Sequence, residues 1–366
     1  MKRRDFFVQG AAGALTLGLA GKAVPAAEKV NITKTALNWE EFTFEPTIPK
    51  PSGTIPTGEL GKTGIKLSKF GFGSHMRADI VKYTEERQRI IRTAYDLGVT
   101  LFDIYDEEQK CYQYEPMGKY IEPFNKNVVL SIAFLPYEKR TFEQEFERDL
   151  RVLKRDYIDM VRLHAYDQKS SQWEQWEKLF KMKEKGYVRA VGIPIHNISD
   201  LDMVLKNYPL DYVLFPYNFY HNVGWHDVKK PQWDNFDPLP VMLRKKGVGV
   251  MTMKAFAGDF LVGPFRKIAR AAVKYRDVNF NQAALRYVIN SPVKPDTTVT
   301  GMYNMDHLYT NVGAYYQPKM TNEERALLKE VRDAAQMTAK AYLPKRYRFL
   351  ENWASEESDL DGYKEG

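Results

Sequence analysis

The stretch FDIYDEEQKCYQYEPMG, residues 102–118, ends an apolar run with a carboxylate, Asp103, and follows it with Tyr105, Glu108, Tyr112 and Tyr114. A carboxylate beside phenols is the group set that general acid catalysis uses to deliver a proton and to balance the charge that the reaction creates. Five histidines follow apolar runs in a similar way: His75, His164, His196, and the pair His221 and His226 in one long segment. Imidazoles and a carboxylate gathered in one place can move protons. His75, His164 and His196 could equally hold a divalent transition metal, which favours nitrogen and oxygen donors. No HExxH or comparable short motif accompanies them. Whether these side chains meet depends on the elements that carry them.

Those elements alternate. From Leu67 onward, short apolar runs at 69–73, 100–104, 127–133, 158–164, 188–193, 212–217, 248–253 and 297–302 are separated by amphipathic segments such as 85–98, 142–153, 171–186 and 281–290. Gly98 and Gly186 stand where helices stop. Eight strands alternating with helices in right-handed crossovers close most naturally into a (β/α)8 TIM barrel, an α/β fold. The alternative, an open doubly wound sheet, lacks an early GxGxxG in its dinucleotide-binding form. In a closed barrel the strand ends share one rim, so Asp103 and five of the six histidines are expected there, with His307 elsewhere. The segment after the sixth run is long and carries Phe219, Tyr220, Trp225 and Trp233, which could wall a sugar or aromatic substrate or form a lid.

A 44% hydrophobic fraction over 366 residues is enough for one large barrel core. Residues 1–26 stand apart from it: MKRRDFF has paired arginines, Val8 to Ala20 is apolar, and AVPA ends in small residues. They read as a twin-arginine export signal, which implies a periplasmic or exported protein with no stable membrane span after cleavage. Residues 27–57 read as an extended arm, 58–340 as the barrel and 341–366 as a C-terminal tail. The signal carries a net charge of +3 of the chain's +7, and the modest remainder, with no basic stripe, gives no case for nucleic acid. Cys111 is the only cysteine, which excludes an intrachain disulfide and any all-cysteine metal site.

From about Gly58 to Tyr316 the chain resembles the aldo-keto reductase superfamily. The resemblance is carried by GELGKTGIKLSKFGFGS, DLGVTLFDI, LRVLKRDYIDMVRLHAYD, KGYVRAVGIPIHN, KGVGVMTMKAFAG, ALRYVIN and VTGMYNMDHLYTNV. It implies carbonyl reduction by a nicotinamide cofactor, NADP or NAD, with an Asp-Tyr-Lys-His tetrad. Asp103 matches the aspartate and His164 the histidine. The tyrosine position holds Glu108, which makes Tyr112 the nearest substitute, and the lysine position holds Ala133. No cation is then evident to balance Asp103, unless Lys110 or Lys254 reaches in. The cofactor positions diverge as well, with Pro194 and Ile195 for a Ser-Asn pair, Leu214 for glutamine, Met253 for a stacking tyrosine and His307 for a phosphate-gripping arginine.

The resemblance therefore leaves Asp103, Tyr112 and His164 as candidate catalytic residues. His75, Met253, Lys254 and Asn311 are the candidate cofactor-binding residues, with Lys254 toward the pyrophosphate and Met253 against the nicotinamide. The expected partner is a small-molecule substrate, possibly a carbohydrate. Two further readings stay open: a non-redox barrel enzyme using a divalent metal at His75, His164 and His196 or acid-base chemistry, and a non-catalytic binding protein.

Overall fold

The computed structural model describes residues 47–74, 85–105, 114–134, 140–163, 170–195, 198–219, 236, 238–256 and 278–342. A short antiparallel hairpin, β1 (Thr57–Glu59) with β2 (Lys66–Ser68), precedes eight parallel strands. These are β3 (Phe70–Gly73), β4 (Leu101–Tyr105), β5 (Val129–Ala133), β6 (Ile158–Arg162), β7 (Val188–Pro194), β8 (Tyr212–Pro216), β9 (Gly249–Met253) and β10 (Thr297–Gly301). They close in the order β10-β3-β4-β5-β6-β7-β8-β9, the (β/α)8 barrel expected from the alternation of apolar runs.

Alternation along each strand separates two cores. Phe102, Ile104, Leu130, Ile132, Val161, Val191, Val213 and Val250 point outward into the layer beneath the helices. Leu101, Val129, Met160, Ala190, Tyr212, Leu214, Met251 and Val299 fill the lumen. Leu60, Ile65 and Leu67 of the hairpin join this inner cluster and plug the pole at which the strands begin. Each such fully buried leucine contributes roughly 2 kcal/mol of transfer free energy, which fixes the hairpin there. The turn at Gly61 needs glycine: its φ is 52°, and a Cβ would sit 2.5 Å from the backbone of Gly247 and Gly249.

The helices that matter to the rim are α1 (Glu85–Asp96), α2 (Tyr114–Ile121), α3 (Phe142–Leu153), α4 (Ser170–Glu184), α5 (Ile198–Leu205), α6 (Leu239–Lys245), α7 (Phe280–Ile289), α8 (Met305–Tyr316) and α9 (Asn322–Tyr342). The starts of three of them are set by side chains that satisfy otherwise unbonded N–H groups. Thr141 and Gln144 form a reciprocal capping box on α3, Asn279 caps α7, and Asn304 caps α8. Residues 47–56 run along α8. Thr47 Oγ1 and the Ile48 N–H both donate to Asp306 in its first turn, at 2.5 and 2.9 Å, and Gly53 lies against Tyr316 at its last residue. Among the described residues no helix is long and apolar enough to cross a membrane.

Candidate active site at the barrel rim

Asp103 and Arg162 are the two oppositely charged side chains that the lumen-facing strand positions bring together. Asp103 lies two residues beyond the lumen residue Leu101 on β4, and Arg162 two beyond Met160 on β6, where it ends the strand. Strand β5 separates them. Across it the guanidinium forks onto the carboxylate, Nη1 to Oδ1 at 2.5 Å and Nη2 to Oδ2 at 3.1 Å, and Nη1 also donates to Ser131 Oγ at 3.0 Å. Both side chains are buried. Burial works against the Arg162 charge, but Asp103, aided by Tyr212 and Tyr114, outweighs it and raises the guanidinium above its ordinary pKa. The cation is permanent at any working pH. Three of its five N–H donors are used by these bonds.

A second hydroxyl approaches the pair. Tyr212 begins β8 yet reaches Ser131 and Arg162 because its register partner Gly192, also the partner of Arg162, has no side chain. A Cβ at Gly192 would fall 2.4 Å from two atoms of the Tyr212 ring. The phenol faces Ser131 and Arg162 but closes no hydrogen bond of good geometry with either. Burial raises its pKa well above the usual phenol value, so it is a neutral hydroxyl and a weaker acid than an ordinary phenol. Tyr114, at the start of α2, donates to the Ala133 carbonyl at 2.6 Å and is buried.

The upper lumen is lined in part by small residues. Gly73, Ala133 and Gly301 end their strands without bulk, and Met253 at the end of β9 is only partly buried against the lumen cluster. Lys254 follows it directly, with a left-handed backbone (φ 56°) and its carbonyl held by Asn218 Nδ2 at 3.1 Å. Burial pushes the Lys254 amine down to about 8. Asn311 is buried on α8 and turns its amide to Thr300 Oγ1 at 3.2 Å.

Of the residues singled out from the sequence, Asp103 lies within β4, Met253 ends β9 with Lys254 directly after it, and Asn311 stands behind them on α8. His75, Tyr112, His164 and His196, together with Lys110, Glu108, His221 and His226, lie outside the described residues. Among the described residues no group of histidine, cysteine and acidic side chains is arranged to hold a metal.

Two expectations need correction. Asp103 does not lack a cation: Arg162, from the neighbouring strand but one, supplies it, and neither Lys110 nor Lys254 is needed. His307 is not remote from the rim. It occupies the first turn of α8, which follows β10 after a short connection, and its Nδ1 accepts from the Tyr303 N–H at 3.4 Å. The signal for Arg162 was present in IDMVRLH, where alternation puts Met160, Arg162 and His164 on one face. A charge on the inward face of a barrel strand requires a partner, and Asp103 is the available one.

The comparisons agree with this architecture. The profile of the Aldo/keto reductase family matches residues 71–333, which is most of the chain. Aldo-keto reductase YhdN of Bacillus subtilis strain 168 is 27% identical over 176 residues, 44% of this chain and 53% of that protein, so the match spans about half of YhdN. L-galactose dehydrogenase of Arabidopsis thaliana is 25% identical over 305 residues, 74% of this chain and 92% of that protein. Among solved structures, aldo-keto reductase AKR11C1 of Bacillus halodurans in its holo form superposes with a TM-score of 0.57 at 20% identity, covering 76% of this chain and 96% of that one. With a closed barrel, a charged pair at its rim and a family match over this length, the chain belongs to the aldo/keto reductase family.

Proposed function

We propose that this protein is an oxidoreductase that reduces the carbonyl of a small, sugar-like molecule with a pyridine nucleotide, and that Arg162 stands in for the lysine absent at Ala133. The observation that carries the reading is the buried, forked Asp103–Arg162 pair toward the carboxyl ends of the strands. A nicotinamide ring fits the residues present: Gly73, Ala133 and Gly301 bring no bulk, and the flexible thioether of Met253 can pack against a flat apolar face. When bound, the nucleotide supplies the hydride that the carbonyl carbon takes up.

The chain's own residues then handle charge and protons. Arg162, held in one orientation by Asp103 and Ser131, directs its remaining N–H donors at the carbonyl oxygen as negative charge grows on it. A fixed donor of this kind is worth about 10²–10³ in turnover, because it needs no reorganisation as the charge develops. Tyr112 gives the proton to that oxygen and His164 orients the carbonyl. Tyr212 is unsuited to the proton role because its raised pKa makes it a weaker acid than an ordinary phenol. A sugar-like substrate is supported by the similarity to L-galactose dehydrogenase along nearly all of that protein's length. The amino-terminal reading continues into this proposal as export by the twin-arginine route, tested by fractionation of cells carrying Arg3→Lys with Arg4→Lys.

The deciding experiment follows nicotinamide absorbance with NADH and NADPH against a panel of aldoses and small aldehydes, for the wild type, Asp103→Asn and His164→Ala. Turnover in the wild type with a strong loss in both variants is expected. Failure to bind or consume either nucleotide overturns the reading, and unchanged rates in both variants move the chemistry away from this rim.

A further inference from the structure

Residues 47–56, TIPKPSGTIP, lie ahead of the segment shared with the family, and they keep a fixed course along α8. Pro49, Pro51 and Pro56 lock φ and hold the chain extended, so little freedom is lost when it is laid against the helix. From Thr47 to Gly53 an extended chain spans about 19 Å, and α8 rises about 15 Å from Asp306 to Tyr316. The lengths suit contacts at both ends, and both are made. At the rim end Thr47 Oγ1 and the Ile48 N–H converge on the Asp306 carboxylate. Pro51 passes over Gly313, 3.9 Å from where a Cβ there would stand. Gly53 turns against the Tyr316 ring with φ 144°, a backbone that disfavours side chains, and a Cβ on it would stand 2.7 Å from the ring. Beyond the turn Ile55 is buried in the outer core, and the Pro56 carbonyl accepts from the Lys69 N–H at 2.8 Å.

The two ends differ in grip. The far end is fixed by buried apolar surface and main-chain bonding, whereas the rim end hangs on hydrogen bonds to one carboxylate at a partly exposed site, and such contacts open first. Helical periodicity gives the arm its role. Asp306, Gly313 and Tyr316 follow one stripe of α8, and His307 and Asn311 follow the opposite stripe. Asn311 turns its amide to Thr300 Oγ1 near the end of β10, so the stripe facing the rim strands is opposite the one that the arm grips. We propose that the arm is a clasp: latched on Asp306, it holds α8 against the barrel from behind, and its unlatching sets how fast the nucleotide leaves. This rests on the reductase reading, which seats the nicotinamide among Gly73, Ala133 and Gly301.

Release kinetics test it. Full-length protein loaded with NADPH or NADH is mixed rapidly with a large excess of the oxidised nucleotide, and the loss of bound-nucleotide fluorescence is followed. Thr47→Val removes one donor to the latch without touching α8 or any charge. Losing a hydrogen bond to a carboxylate multiplies the unlatched population by about 10, and release should quicken about 10-fold. Gly53→Ala strains the arm at the other end of α8, against Tyr316, and should quicken release as well. Arg155→Ala, which destabilises the barrel at the pole where strands begin, should leave release unchanged, and circular dichroism checks that all three variants fold. Release as slow as the wild type in both arm variants overturns the clasp and leaves the reductase reading intact. An acceleration in Arg155→Ala as large as theirs does the same. A wild type with no bound-nucleotide fluorescence removes the reductase reading, and the clasp with it.

Discussion

Strand β6 carries a buried charge near each end, and the two are wired differently. Asp159, near its beginning, is bonded to the main chain as well as to side chains. It accepts from the Leu130 N–H at 3.1 Å, from Arg189 at 2.6 Å and from Arg155, which itself donates to the Asn125 and Val128 carbonyls at 2.8 and 3.0 Å. Among the described residues Arg162, at the other end, is bonded to the side chains of Asp103 and Ser131, with the Tyr212 hydroxyl closing no hydrogen bond of good geometry beside it. The first arrangement ties strands β5 and β6 to the 122–127 turn and leaves little for a ligand to do. The second spends burial on a charge pair that secures little main chain. A buried pair is weak evidence for stability, because desolvation offsets its attraction. The Asp103–Arg162 pair is therefore the one whose retention calls for a functional reason.

The largest expected effect breaks the rim pair. Arg162→Met leaves Asp103 buried without a counter-charge and should cost about 3–5 kcal/mol in denaturant unfolding. On the fraction that remains folded, turnover should fall about 10²–10³-fold. Adding Asp103→Leu in the same chain should restore most of the stability and none of the activity, since replacing both members with apolar groups removes the orphaned charge. Recovery of activity together with stability would show that the pair only holds the barrel together.

The matching change at the other pole should separate the two functions. Arg155→Ala removes the guanidinium from Asp159 and from two carbonyls, and should cost about 3 kcal/mol. Turnover per folded molecule should stay within about twofold of the wild type, because the changed bonds lie at the stability pole of the barrel. A fall as deep as that of the Arg162 variant would erase the contrast between the two ends of β6.

The sequence made the barrel readable because each strand is a short apolar run bounded by a helix with a different periodicity. Every candidate strand coincides with an observed one to within a few residues. Arg162 was harder to see. Its significance depends on register, which places Ala133 beside Arg162 and Ser131 beside Asp103, and so brings together Asp103 and Arg162, which are 59 apart in the chain. Attention to strand ends favoured His164, whereas β6 ends at Arg162. His307 was misplaced for a related reason: it is distant from the other histidines in sequence, but the short link from Gly301 to Met305 returns the chain to the same rim. Gly192 shows how little the local sequence reveals, because its role is to leave space for a ring that belongs to the next strand.

That space gives a third prediction of intermediate size. Gly192→Ala puts a methyl group 2.4 Å from the Tyr212 ring, so the ring must move within the packed lumen, at about 1–3 kcal/mol. The displaced phenol presses on Ser131 and Arg162, and turnover should fall about 10-fold as the guanidinium loses its alignment. Tyr212→Phe in the same background should recover part of the stability, since it removes a buried hydroxyl that has no good hydrogen bond. If the double variant is as slow as the single one, the ring and not the hydroxyl sets the position of Arg162.

The smallest effect concerns Lys254 and depends on pH. Its folded-state pKa of about 8 lies below the ordinary lysine value of 10.5, so between these two values the unfolded chain binds more protons than the folded one. Stability contributed through this residue therefore rises with pH across that window. Below about 8 both states are protonated, and the folded protein carries the full cost of a buried ammonium. Above 10.5 both states are neutral and the cost is gone. Lys254→Met should accordingly stabilise the protein at pH 7 by about 1 kcal/mol, a value reduced for the residue's partial exposure, and the advantage should shrink toward zero by about pH 10. Urea unfolding of wild type and variant across this range measures the difference. A constant gap would mean that packing, not charge, distinguishes the two proteins.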